Sequence, residues 1–193
     1  MLLVVAVVGL LTKELAQDSA SKPLDQSTEY VPSAQVDPQP VSTILEPGLP
    51  LRLIIAKIKV SAPIENIGLT QNGDMGVPSQ VNKVAWYEQG PRPGQLGAAV
   101  LAGHLNGEQG ELGVFADLHL LGKGDTFQVI DDTGIASSFV ITDTRTYNQE
   151  EKPAEVFTAS DGIHVNLITC AGAWDKNLDS FKKRLVVFGE KVL

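Results

Sequence analysis

From Leu51 onward the apolar residues come in short runs or alternate with polar ones, and they seldom recur at the three-and-four spacing of an amphipathic helix. "LRLIIAKIKVSAPIENIGLT" predicts two strands joined near Ser61–Pro63, with a turn at Asn72–Gly73 after them. Further strands are predicted at "AAVLAG" (98–103), "TFQVI" (126–130), "SSFVITDTRTY" (137–147), "IHVNLITC" (163–170) and "RLVVFGE" (184–190). Gly, Asn, Asp or Pro clusters separate nearly all of them. A helical turn or two is predicted at "GVFADLHLL" (113–121) and near "PAEVFTA" (153–159). Seven or eight short strands with so little helix predict a mainly β protein, a closed or nearly closed seven- to eight-stranded barrel with one or two short helices.

Upstream the pattern is different. "MLLVVAVVGLL" is apolar throughout, but it is shorter than the roughly 20 residues that span a bilayer. It lacks the basic start and small-residue cleavage site of a secretory signal. It is either the back part of an N-terminal membrane anchor or a first strand or buried helix of the domain. The next stretch, residues 14–50, is rich in Glu, Gln, Ser and Pro and cannot be core, which favours the anchor. Six of the chain's 11 prolines lie between Pro23 and Pro50, and such a segment stays extended. The expected organisation is therefore an anchor remnant at 1–12, a flexible stalk at 13–47 and a barrel domain at 48–193.

Composition narrows the chemistry. A net charge of -8 with no Lys/Arg cluster excludes nucleic acid as a partner. The single cysteine, Cys170, excludes an internal disulfide. It sits in "NLITCAGAW", at the end of a predicted strand and followed by small residues. A lone cysteine there is either a small buried hydrophobe or a nucleophile, and a nucleophile needs a nearby cation and an open approach. His104, in "VLAGHLNG", ends an apolar strand and is the better partner. His164 lies six residues before Cys170 on one strand, about 20 Å away at about 3.3 Å per residue. His119, in "FADLHLL", reads as a packing or surface residue. Of the four arginines, Arg184 opens the last apolar strand fourteen residues after Cys170. Its forked guanidinium suits a developing oxyanion. Glu150, Glu151, Glu155 and Asp161 lack the alternating spacing of a calcium loop, so no metal is expected.

Taken in order, "LAGH", "LITC" and "RLVVFGE" resemble the histidine, cysteine and arginine strands of the sortases, cysteine transpeptidases of mainly Gram-positive cell surfaces. "WYEQGPRPGQLGAAVLAGH" and "GVFADLHLLGKGD" resemble classes D, E and F, most of all F. The resemblance covers about residues 48–192. It implies catalytic His104, Cys170 and Arg184, with Thr169 and Trp174 as secondary substrate contacts and no cofactor. It also implies cleavage of an LPxTG-type sorting signal between Thr and Gly through a thioacyl enzyme. The acyl group would pass to an amine on a cell-wall precursor or a pilin lysine, with the loop at 146–162 gripping the Leu-Pro part. The enzyme would sit at the cell membrane on one N-terminal anchor, its catalytic domain outside. Two other readings stay open: hydrolysis by a sortase-like cysteine protease, and a non-catalytic extracellular β-barrel binding domain. A papain-like arrangement is disfavoured, because its cysteine precedes its histidine.

If the segment before Pro47 is only tether, a chain beginning at Pro47 is expected to melt as the full chain does and to turn over peptide equally well. A large drop in melting temperature would show instead that the apolar N-terminal run packs into the barrel.

Overall fold

The computed structural model describes residues 46–177 and 179–192. The expected anchor, and the stalk up to residue 45, lie outside the described residues. Glu46 and Pro47 lie against the barrel: Glu46 Oε2 accepts from Gln95 Nε2 (2.9 Å) and Pro47 O from Arg92 Nη1 (3.0 Å). No helix of the described residues is long and apolar enough to cross a membrane.

Eight strands form a closed barrel: β1 (Pro50–Ile55), β2 (Val60–Ile67), β3 (Val84–Tyr87), β4 (Gly97–Gly103), β5 (Thr126–Asp131), β6 (Ala136–Asn148), β7 (Ile163–Asp175) and β8 (Ser180–Lys191). Around the barrel they run β1-β2-β3-β4-β7-β8-β6-β5, and β5 pairs back onto β1. The β2–β3 and β4–β7 pairs are parallel and the others antiparallel. One short helix, α1 (Ala154–Phe157), sits in the β6–β7 connection, and 3-10 turns follow β1 and precede β5. This is the mainly β barrel expected from the pattern.

Several details differ from the expectation. β1 and β2 are divided at residues 56–59, not at Ser61–Pro63: Lys59 takes a left-handed φ of 55° after the 3-10 turn. Pro63 is tolerated inside β2. The four-residue strand β3 was not expected. The 113–121 segment is mostly turns, with only Leu118–Leu120 helical. β7 and β8 extend well beyond the predicted segments, so Cys170 lies inside β7 and Arg184 inside β8.

Period-two alternation fills the barrel. Leu53, Ile55, Leu101, Val165, Leu167 and Val187 point inward, with Phe127 stacked on Phe139 (5.3 Å, 17°) among them. Phe115, from the β4–β5 connection, is wholly buried in the same core. β4 and the middle of β7 are buried on both faces. Their outer side meets a second apolar cluster of Val100, Val156 and Val186, against which Met75, Tyr87, Tyr147, Ile168 and Phe188 pack. Near-continuous apolar runs such as "AAVL" mark this double burial.

Buried Asp131 fastens the start of the domain to the β5–β6 turn. Its carboxylate accepts from Gly48 N (2.9 Å), Thr133 N (3.0 Å), Thr133 Oγ1 (2.6 Å) and Ile135 N (2.9 Å). Burial works to raise its pKa, but the bonds from Thr133, Gly48 and Ile135 together outweigh burial and hold it below the usual value. A carboxylate depressed by folding stabilises the fold above its unfolded pKa of about 3.9, and that gain is lost as pH falls through the lower folded value. Asp131→Asn offers one acceptor oxygen where two are used, so a loss of about 1–3 kcal/mol is expected in chemical denaturation at neutral pH. The variant should also lose less stability than wild type on acidification below about pH 4. Equal stability at pH 7 would show that the network contributes nothing.

Candidate active site

The β7–β8 ladder sets Cys170 directly opposite Arg184. Val165, Leu167 and Thr169 point into the barrel, so Asn166, Ile168 and Cys170 face outward. On β8, Leu185 and Val187 pack inward, and Arg184, Val186 and Phe188 face out. Directly opposed residues place their Cβ atoms about 5 Å apart. Cys170 and Arg184 are therefore neighbours on the outer wall.

β4 brings the histidine. Its parallel register with β7 runs from Gly97–Ile163 to Ala102–Ile168, a constant offset of 66 residues (163 − 97 and 168 − 102). Two steps further, the same offset sets His104 level with Cys170. The buried hydroxyl of Thr169 donates to Gly103 O (2.8 Å), closing this corner. The Thr169 hydroxyl is thus committed to tying β7 to the end of β4, while Thr169 also lines the hollow beside Cys170. His104 Nε2 donates to Pro78 O (2.9 Å), and His104 O accepts from Phe115 N (3.0 Å). The returning chain passes so close that a Cβ on Gly113 would sit 2.1 Å from His104 O. Only glycine permits that approach.

Arg184 is held from its own strand. Nη1 donates to Phe181 O (2.8 Å) and Lys183 O (2.9 Å), and Nη2 to Ser180 Oγ (3.2 Å). Those bonds use three of its five N–H groups, and Nε–H and one Nη2–H are left over. Half-buried Cys170 has its thiol pushed above the ordinary pKa by burial, an effect the nearby Arg184 charge partly offsets. The Arg184 charge thus favours the thiolate that burial disfavours.

Just beyond Cys170 the ladder slips between Ala171 and Trp174, with Gly172 at φ +76°. This bulge twists the hairpin tip, where half-exposed Trp174 meets Phe181 edge-on (5.1 Å, 81°). Trp174 therefore lies four residues past the thiol, stacked on the tip.

Two hollows flank the site. One of about 240 Å³ lies at the barrel's end beside Cys170 and is lined by Leu105, Phe115, Ala116, His119 and Leu185 among others. His119, expected to be an ordinary packing or surface residue, is exposed and lines this hollow, its Nδ1 donating to Ala116 O (3.1 Å). A larger one of about 490 Å³ lies on the outer face away from Cys170, between β6 and the α1 loop, lined by Arg145, Glu155, Asp161, His164, Asn166 and others. His164 takes part only at this far end, against Asp161 (3.1 Å).

Between the far hollow and Cys170 runs the outer apolar cluster, with α1 beside it as a wall. Asn166 Nδ2 donates to Val156 O (2.7 Å), Tyr147 Oη to Glu155 (3.0 Å), and Phe157 meets Tyr87 edge-on (6.0 Å). The apolar residues on both faces of β4 and β8 are the sequence signal for this floor. Among the described residues no group of His, Cys, Asp and Glu is placed to hold a metal.

A family model for the sortase domain matches residues 53–192. Among solved structures, sortase C-1 from Actinomyces oris is 26% identical, with a TM-score of 0.57 over 74% of this chain and 73% of that one. A Clostridium perfringens sortase D5 transpeptidase is 18% identical (TM-score 0.56, 74% and 78% covered). The pilus-related sortase C of Group B Streptococcus is 19% identical (TM-score 0.56, 77% and 68%). These three carry C and D designations. No curated protein sequence matches the chain. The family match spans well over half of the chain and coincides with the eight-stranded barrel: the chain belongs to the sortase family.

Proposed function

We propose that this protein is a cysteine transpeptidase acting on an LPxTG-type sorting signal at the cell surface, with Cys170, His104 and Arg184 as its catalytic residues. The observation that carries this reading is the Cys170–Arg184 register pair on the outer wall, with His104 just past the end of β4, the strand that pairs with β7. The peptide lies extended along the outer apolar floor, its Leu-Pro part against α1. Cys170 loses its proton to His104, and Sγ attacks the Thr carbonyl of the Thr–Gly bond. Arg184 steadies the oxyanion through its remaining N–H groups. As the C–N bond breaks, His104 returns the proton to the leaving Gly amine and a thioester remains. An incoming amine then gives a proton to His104, attacks the thioester and leaves as the new amide, restoring Cys170. Membrane tethering through the segment before the barrel, an extracellular domain, a cell-wall or pilin amine as acceptor, and the finer class F placement rest on the sequence resemblance.

Cys170→Ala and His104→Ala are each expected to abolish peptide turnover, and His119→Ala to retain most of it. The sharper test is Arg184→Lys, which keeps the charge but not the fork. Peptide turnover should fall by about a hundredfold or more. Alkylation of Cys170 by a small neutral reagent should change far less, since the cation offsetting the thiol's burial remains. A parallel fall in both rates would show that Arg184 acts through the thiol alone. Turnover by Cys170→Ala would remove the covalent route. A wild-type protein that binds sorting peptides without being acylated would be a binding domain, and one releasing only hydrolysed peptide would be a protease.

A further inference from the structure

The β2–β3 connection holds a hydrogen-bonded clasp that the mechanism above leaves unused. Glu65, on β2, grips Ser79 with both oxygens: Oε1 accepts from the Ser79 backbone N–H, and Oε2 from Ser79 Oγ (2.9 Å). Lys83 Nζ reaches Oε2 at 3.1 Å and Ser79 Oγ at 3.3 Å. Ser79 N–H, ahead of burial, which opposes it, and of Lys83, holds the Glu65 carboxyl below its usual pKa.

The gripped N–H belongs to the Pro78–Ser79 peptide unit, and the C=O of that unit is Pro78 O. In a planar trans peptide the N–H and C=O point in opposite directions, so fixing one aims the other. Pro78 O is aimed at His104 Nε2, 2.9 Å away. Val114 N, which donates to Val81 O (2.9 Å), ties the same loop to the chain that follows His104.

A carbonyl oxygen can only accept, so Nε2 carries a hydrogen whether the ring is neutral or charged. The proton that comes and goes must then sit on Nδ1. Resting on the assignment of His104 as the acid–base residue, we propose that Glu65 and Ser79 are positioning residues for it. By clasping the Pro78–Ser79 peptide they hold its carbonyl on Nε2, which makes Nδ1 the nitrogen that gives a proton to the leaving amine and takes one from the incoming amine.

The test reads the ring directly. In the full chain with 15N-labelled histidine, at a pH where His104 is neutral, its signal (identified by loss in His104→Gln) is expected to show hydrogen on Nε2 and a bare Nδ1. In Glu65→Ala the two tautomers should mix. Acid–base catalysis contributes roughly 10²- to 10⁴-fold, so a misdirected ring should lower kcat on a sorting peptide about tenfold or more. KM should change little. Glu65→Gln, which keeps an acceptor for Ser79 N–H, should recover most of the loss. If Glu65→Ala does not fold, Ser79→Ala removes the hydroxyl half of the clasp, and a smaller but measurable tautomer shift and kcat loss is expected. Wild-type His104 with its hydrogen on Nδ1 would overturn the proposal. So would variants that keep both tautomer and kcat. The tautomer is read without substrate, so a wild type inactive on every sorting peptide would sink the transpeptidase reading while the clasp is still decided on its own.

Discussion

The site depends on the register of β7 against its two neighbours. A slip of one residue would turn every side chain of the strand to the opposite face. Val165 and Leu167 would then leave the core and Cys170 would enter it. The core therefore forbids the slip, and in doing so it presents the thiol and Arg184 outward together. The parallel β4–β7 pairing adds the histidine at the same height, locked by the inward bond from Thr169 to Gly103. Cys170 and Arg184 sit on rigid strands because the hydrophobic interior leaves those strands one arrangement.

Double-sided burial shapes the chemistry in turn. The outer apolar cluster and α1 give an extended peptide something to lie against, and they shelter the face on which Cys170 stands. Shelter disfavours the thiolate, and the Arg184 charge is the counterweight. A raised thiol pKa lessens thiolate character, and with it adventitious oxidation.

Much of this was legible in the chain. Alternation gave seven of the eight strands, with the β1–β2 division misplaced, because each has one face in the core. Pairing order is not local, but the three reactive residues could be ranked because each sat at the edge of an apolar run. Other features left little trace. β3 is only four residues long, and its apolar Val84–Tyr87 could equally have been loop. β7 and β8 continue past their apolar parts because they pair with each other, and "AGAWD" alone carries no strand signal. Thr169 looked like a groove residue until alternation turned it inward. The acceptor on His104 is a backbone carbonyl, which no side-chain pattern announces.

The hairpin tip bears on the arginine in a way that neither residue type nor spacing suggests. Arg184 directs its guanidinium at Phe181 O and Ser180 Oγ, both on the far side of the bulge from Cys170. Those groups stay in place because the strands pair again beyond Gly172, at Trp174–Phe181 and Asp175–Ser180. The bulge twists the tip relative to the ladder below it, and the Trp174–Phe181 edge-on contact fixes where the twisted tip comes to rest. The orientation of the Arg184 fork is therefore set by residues that never approach the thiol. A long charged side chain has many rotamers to lose, and prior bonding to its own strand removes that cost before a substrate arrives.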